Sequence, residues 1–208
     1  IKSGESWDSA GANLYRGGSF GNGSAMRVAP VGLLYSNVPA KLREIAYKSS
    51  SITHSHELGK EGAALQAYAV ALALNTPSDE DINGEAFLLK LQNFAQNQLY
   101  KEKIASIKEL LDEQDRAKVV TVLGNGIEAP RSVPTAIYCF LLQPKSYRDS
   151  VIYAISLGGD TDTIASMTGA ISGAYLGIEA IPQEWRAKLE NRAYIEALAG
   201  GLWQLTTD

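Results

Sequence analysis

The sequence predicts an all-α fold, and three observations carry that prediction. Apolar residues recur at helical spacing along most of the chain, no segment alternates with the strand period, and alanine, leucine and isoleucine dominate the apolar set. Clusters of glycine, proline and asparagine divide the chain into about ten helical segments on short loops. With 208 residues, 45% of them apolar, the chain can bury one sizeable core, so a single domain over residues 1–208 is expected.

Residues 1–24 are dense in glycine, serine and asparagine, have no sustained period and read as loop. They end in Gly17-Gly18-Ser19-Phe20-Gly21-Asn22-Gly23-Ser24 and run into the apolar stretch Ala25 to Tyr35. Pro30 belongs at a break or a first turn there, because an interior proline loses a hydrogen bond and clashes. Pro39 starts a helix over Ala40 to Ser51, and the polar knot Thr53-His54-Ser55-His56 separates it from a helix over Glu57 to Leu74. Asn75-Thr76-Pro77 stops that helix. Amphipathic helices follow over Glu85 to Gln98 and Lys101 to Leu111, and another from Asp115 to Leu123, stopped by Gly124-Asn125-Gly126. Val133-Pro134 opens a more apolar helix to Leu142, Tyr147 to Leu157 is next, and the segment from Gly158 leads into a helix that ends at Gly177. Pro182 heads a short helix toward Leu189, and Tyr194 to Leu205 is the last.

The balance of 19 basic against 23 acidic residues gives no broad basic footprint for nucleic acid or an anionic membrane. The single cysteine, Cys139, excludes a disulfide framework and a zinc site. Its apolar run makes it core filler and points to a reducing compartment, whether cytoplasm, nucleus or mitochondrial matrix. No apolar stretch approaches the ~20 residues of a membrane span. The opening Ile1-Lys2-Ser3-Gly4-Glu5-Ser6 is not a signal peptide, and the chain is expected to begin within a longer protein.

Chemistry concentrates in Gly158-Gly159-Asp160-Thr161-Asp162-Thr163. On a regular helix, positions i and i+2 point about 200° apart, so Asp160 and Asp162 would not share an ion. In a glycine-prepared turn they can converge, with Thr163 adding a hydroxyl. Such an oxygen-only set suits Mg²⁺ or Mn²⁺. The alternative is that either aspartate merely caps the next helix. Gly169, Gly173 and Gly177 form a stripe that would let another backbone approach. Asp8, Asp79-Glu80-Asp81, Asp112-Glu113, Asp115 and Asp149 offer no comparable turn, so the chain is short of metal ligands.

Residues 17–24 form a glycine loop whose backbone N–H groups could cradle a phosphate. No Gly-Lys-Ser/Thr follows it and no strand precedes it, so it is neither a Walker loop nor a dinucleotide fingerprint. Phe20 could stack on a base or sugar, and Arg27 fits a buried structural ion or a ligand group equally well. The two histidines, His54 and His56, read first as structural. Gly124-Asn125-Gly126-Ile127 reads first as a helix stop and second as a pocket wall.

Taken together, these segments form a recognisable series. It runs Gly18-Ser19-Phe20-Gly21-Asn22-Gly23-Ser24-Ala25-Met26-Arg27, Thr53-His54-Ser55 and Leu123-Gly124-Asn125-Gly126-Ile127. Ser132-Val133-Pro134-Thr135-Ala136-Ile137-Tyr138 and Ser156-Leu157-Gly158-Gly159-Asp160-Thr161-Asp162-Thr163 complete it. The series resembles the ADP-ribosylglycohydrolase family, most closely its type-three ADP-ribosyl-acceptor hydrolases, which act on ADP-ribosylated serine and poly(ADP-ribose). The resemblance implies a compact orthogonal helical bundle around two Mg²⁺ ions. Asp160, Asp162 and Thr163 match metal ligands, and the two aspartates are the catalytic candidates. Gly18, Ser19, Phe20, Gly21 and Gly23 match the loop that holds the diphosphate and distal ribose, while His54 and Ile127 match the adenosine-side wall. Phe20 stands where close relatives carry tyrosine, which keeps stacking and loses a hydroxyl. Leu14 stands where a phenylalanine is expected against adenine. The implied partner is the ADP-ribose moiety of modified proteins or of poly(ADP-ribose), met by a monomer with no nucleic-acid or membrane partner.

The family's first half carries a Gly-Asp-x-x-Gly element, a Thr-Asp-Asp triplet and a loop glutamate near the scissile bond, and none has a counterpart here. The expectation is a C-terminal portion of a longer enzyme, inactive alone, or a member that has lost catalysis. Two further readings stay open: a non-catalytic ADP-ribose-binding or structural protein, and a hydrolase of arginine-linked ADP-ribose.

Overall fold

A helix buried along most of its length belongs at the centre of a fold, and Glu57–Leu74, buried at twelve positions from Gly59 to Ala73, takes that place. The computed structural model describes residues 4, 9, 13, 15–77, 79–113 and 115–205. Among them are eleven α-helices, two short 3-10 turns and no strand, so the fold is all-α as the sequence predicts. They are α1 (Ala29–Leu34), α2 (Pro39–Ser51), α3 (Glu57–Leu74), α4 (Gly84–Phe94), α5 (Gln98–Leu110) and α6 (Arg116–Leu123). They continue with α7 (Ala129–Leu142), α8 (Tyr147–Ser156), α9 (Thr161–Leu176), α10 (Gln183–Ala187) and α11 (Arg192–Gln204). Helix α3 touches α1, α2, α4, α7 and α9, and the small side chains from Ala63 to Ala73 allow that crowding. An added Cβ on Gly32 of α1 would stand 2.4 Å from the Ala67 carbonyl of α3, so those two backbones meet almost directly.

Buried polar groups tie the central helices together. Gln66 Nε2 donates to Met167 O at 2.9 Å, joining α3 to α9, and Thr168 Oγ1 donates to Ala136 O at 3.2 Å, joining α9 to α7. Cys139 is fully buried in α7, and burial pushes its thiol up, away from the reactive range. No helix among the described residues is long and apolar enough to cross a membrane.

Five expectations change. Ser9 and Asn13 have helical backbone where loop was expected. Helix α4 stops at Phe94, short of Gln98, because Ala95 turns extended and the Gln96 N–H donates to Glu61 Oε1 at 2.6 Å. Asn97 then caps α5 by accepting from Leu99 N, so that helix starts at Gln98. Helix α7 starts at Ala129 and carries Pro134 inside it. An interior proline costs about 3 kcal/mol, and burial of Ile137, Tyr138 and Phe140, each 0% exposed, offsets it at about 1.5–3 kcal/mol per side chain. The glycine stripe of α9 receives an aromatic ring and no backbone. An added Cβ on Gly169 would stand 2.8 Å from Tyr147 Oη of α8, whereas Gly177 ends the helix in open space.

Candidate functional site

The glycine loop is held by a short antiparallel pairing with the segment before α7. Gly21 bridges Glu128, Asn22 N donates to Ile127 O at 2.8 Å, and Ala129 N donates to Phe20 O at 2.9 Å. The pairing puts Phe20 and Ile127, 42% and 68% exposed, on the rim of one surface, with apolar area open to a ligand. From the other side, Thr53 to His56 closes on the loop. His54 lies under it so tightly that a Cβ on Gly23 would stand 2.8 Å from His54 Cε1. His56 caps α3, its Nδ1 accepting from Leu58 N, and its ring meets Phe20 with centroids 5.3 Å apart. The loop's own contacts use the N–H groups of Gly18, Gly21 and Asn22, which donate to Tyr15 O, Ser19 Oγ and Ile127 O. The N–H groups of Ser19 and Phe20 meet no acceptor among the described residues.

Burial, and then the Arg27 guanidinium, holds the His54 imidazole below its usual range, so it is neutral at neutral pH. Arg27 is structural but exposed, not the buried ion expected: its guanidinium donates to Gly23 O at 3.3 Å, Ser49 O at 3.0 Å and Thr53 Oγ1 at 2.8 Å. It thereby staples the loop to the end of α2.

Asp160 occupies the N-cap position of α9, yet its side chain accepts from no backbone N–H of that helix. Its carboxylate accepts instead from Thr163 Oγ1 at 3.3 Å and from Asn22 Nδ2 at 2.6 Å. The simple capping alternative therefore does not describe Asp160. Asp162 lies in the exposed first turn of α9, and Thr163 is the third helical residue. The turn before them is locked by the second Gly-Asn-Gly segment. Asp160 N donates to Asn125 O at 2.8 Å, and Asn125 Nδ2 donates to Leu157 O at 3.0 Å. Gly159 has φ +70°, and a Cβ there would fall 2.1 Å from Asn125 O, so no other residue fits without moving the turn.

The structure thus brings Gly18, Ser19, Phe20, Gly21, Gly23, His54 and Ile127 together, and it ties Asp160 and Thr163 to the same loop. Leu14 and Asp8 lie outside the described residues. Sequence reasoning missed Asn22, Ser132 and the clasp made by Asn125. The available signal is an asparagine between two glycines, twice in one chain; the sequence reading assigns those segments to a phosphate loop, a helix stop and a pocket wall, and gives the asparagine side chains no role. The donor chemistry fits a hard divalent cation: two carboxylates and a hydroxyl, with neither aspartate paired to a lysine or arginine among the described residues. It fits as part of a coordination sphere, because the described residues hold no group of three or more His, Cys, Asp or Glu that could bind a metal. Three of the acids weighed as partners in the sequence serve at the surface: Asp115 caps α6, Glu113 pairs with Lys118 at 2.7 Å, and Asp81 pairs with Lys145.

The chain is similar to the ADP-ribosylhydrolases ARH3 of Homo sapiens and Mus musculus, at 43% and 42% identity. The similarity covers 89% and 94% of this chain and 58% and 60% of theirs, so the chain spans little more than half of each. A solved structure described as an ADP-ribosylglycohydrolase-related protein complex has a TM-score of 0.73 at 27% identity, over 90% of this chain and 61% of that one. The family model described as ADP-ribosylglycohydrolase matches residues 1–208, which includes the glycine loop, the His54 knot and the aspartate turn. On that match and those relatives, the chain belongs to the ADP-ribosylglycohydrolase family.

Proposed function

We propose that this chain binds the ADP-ribose moiety of ADP-ribosylated proteins and supplies part of the site that hydrolyses its glycosidic bond to serine or to the next unit of poly(ADP-ribose). The observation that carries the reading is the 2.6 Å contact of Asn22 with Asp160, which joins the glycine loop to the aspartate turn across 138 positions. In this reading the Ser19 and Phe20 N–H groups receive the diphosphate. Phe20 and Ile127 cover the apolar faces of the nucleoside, and neutral His54 supports the loop from beneath. A divalent cation, Mg²⁺ in the family, would be held by Asp160, Asp162 and Thr163, where it would supply Lewis-acid polarisation and orientation of the ribose hydroxyls. Asp160, fixed by Asn22 and Thr163, keeps its charge facing the ribose. Net hydrolysis breaks the bond from ribose C1″ to the serine oxygen, adds a water oxygen at C1″ and returns a proton to serine.

The donor set here is partial, so turnover is proposed for a protein that unites this chain with the further length its relatives carry, and no turnover is expected from the 208 residues alone. Release of ADP-ribose from serine-linked, arginine-linked and poly(ADP-ribose) substrates, with and without EDTA, tests this in such a protein. Serine-linked and polymeric substrates are expected to react, and Asp162→Asn to lower turnover at least about 100-fold. Wild-type turnover in Asp162→Asn rejects the assignment. A preference for the arginine linkage moves the protein to that branch, and binding without turnover in the united protein favours a non-catalytic ADP-ribose binder. The buried thiol and the substrate class support an intracellular setting.

A further inference from the structure

Asn22 is 6% exposed and reaches two partners through one amide nitrogen, Asp160 Oδ2 at 2.6 Å and Ser132 Oγ at 3.1 Å. The partners fix which amide atom faces them. A carboxylate only accepts, and the Ser132 hydroxyl already donates to Glu128 O at 3.1 Å, so both contacts require a donor. The main chain is held as firmly: Asn22 N donates to Ile127 O at 2.8 Å, and Asn22 O accepts from Met26 N at 3.0 Å. With side chain and backbone both engaged, the amide cannot turn unless the glycine loop moves. A neutral donor also orients a carboxylate without cancelling its charge, which a lysine or arginine would do.

We infer that Asn22 is a positioning residue that couples the glycine loop to the aspartate turn, so that a ligand on the loop and a divalent cation at Asp160 strengthen each other's binding. This rests on the proposed function for what the two sites hold. A ligand bound on residues 18–23 strengthens the hold on the amide, the amide holds Asp160 Oδ2, and the aspartate then presents its remaining lone pairs to a cation in one orientation. Linkage makes the effect reciprocal.

The test is calorimetric titration of Mg²⁺ into this chain, alone and with saturating ADP-ribose. In wild type, ADP-ribose is expected to lower the Mg²⁺ dissociation constant at least about fivefold, and in Asn22→Ala the change is expected to stay within about twofold. Ile127→Ala should weaken ADP-ribose binding and keep the coupling, which separates a lost contact from a lost link. Full coupling in Asn22→Ala, or no coupling in a wild type that binds both ligands, overturns the inference and leaves the function standing. A wild type that binds neither ligand overturns the function and the inference with it. Should Asn22→Ala not fold, the Asn22 side-chain NH₂ signals of ¹⁵N-labelled wild type supply the answer. They are expected to move with either ligand added singly, and signals that ignore both overturn the inference.

Discussion

Two carboxylates in this molecule are held in opposite ways. Glu61, 2% exposed in α3, is closed on all sides: Arg43 Nη1 at 3.0 Å, the Tyr47 hydroxyl, and the Gln96 N–H at 2.6 Å. Arg43 also lies over the Phe94 ring, 3.8 Å from its centroid, and donates to Phe94 O. This network joins α2, α3 and the end of α4, and it neutralises the charge it buries. Asp160 is half-buried and, among the described residues, receives only neutral donors, from Asn22 and Thr163, while neighbouring Asp162 faces solvent. The first arrangement uses a carboxylate to hold the fold. The second orients one and leaves its charge for something else. The kind of donor thus distinguishes Glu61, held by a guanidinium, from Asp160, held by an amide and a hydroxyl.

The comparison breaks most readily at Arg43. Arg43→Met leaves Glu61 buried beside no cation and should cost about 3–5 kcal/mol in urea denaturation; a cost under 1 kcal/mol would mean the pair is not structural. Next comes the turn that aims Asp160. Gly159→Ala forces a left-handed φ on a residue whose Cβ meets Asn125 O, and about 1–3 kcal/mol of destabilisation is expected, with loss of cation binding. A smaller effect belongs to His54. Its folded-state value is lowered by burial and Arg27, so the unfolded chain takes up the proton first as pH falls. Stability is expected to be flat above neutrality and to decline as pH drops below the ordinary histidine value of 6.5, a slope that His54→Gln removes. Smallest in stability is Asp162→Asn, within about 0.5 kcal/mol of wild type by thermal melts, although Mg²⁺ affinity should fall about tenfold or more.

Most of the helical order was legible because glycine, proline and asparagine mark its breaks: Asn75-Thr76-Pro77 and Gly124-Asn125-Gly126 end helices where expected. Boundaries failed where tertiary contacts override local preference. Glu61 takes the Gln96 N–H and ends α4 early, and the buried surroundings of α7 tolerate Pro134. At the site, the aspartates, Thr163 and the glycine loop could be read from residue type. Asn22 could not, because its role depends on a partner 138 positions away. The glycine spacing of α9 suits the approach of a backbone, whereas the space Gly169 leaves is filled by the Tyr147 ring.

The central claim is that one surface of this chain holds ADP-ribose and a divalent cation together. Calorimetric titration of ADP-ribose into the chain in Mg²⁺ buffer tests it most directly, with wild type set against the double variant Asp160→Asn, Asp162→Asn. The account predicts saturable binding by wild type that weakens about tenfold or more in the double variant while its melting temperature holds. No binding by wild type, or equal affinity in the two proteins, would contradict it.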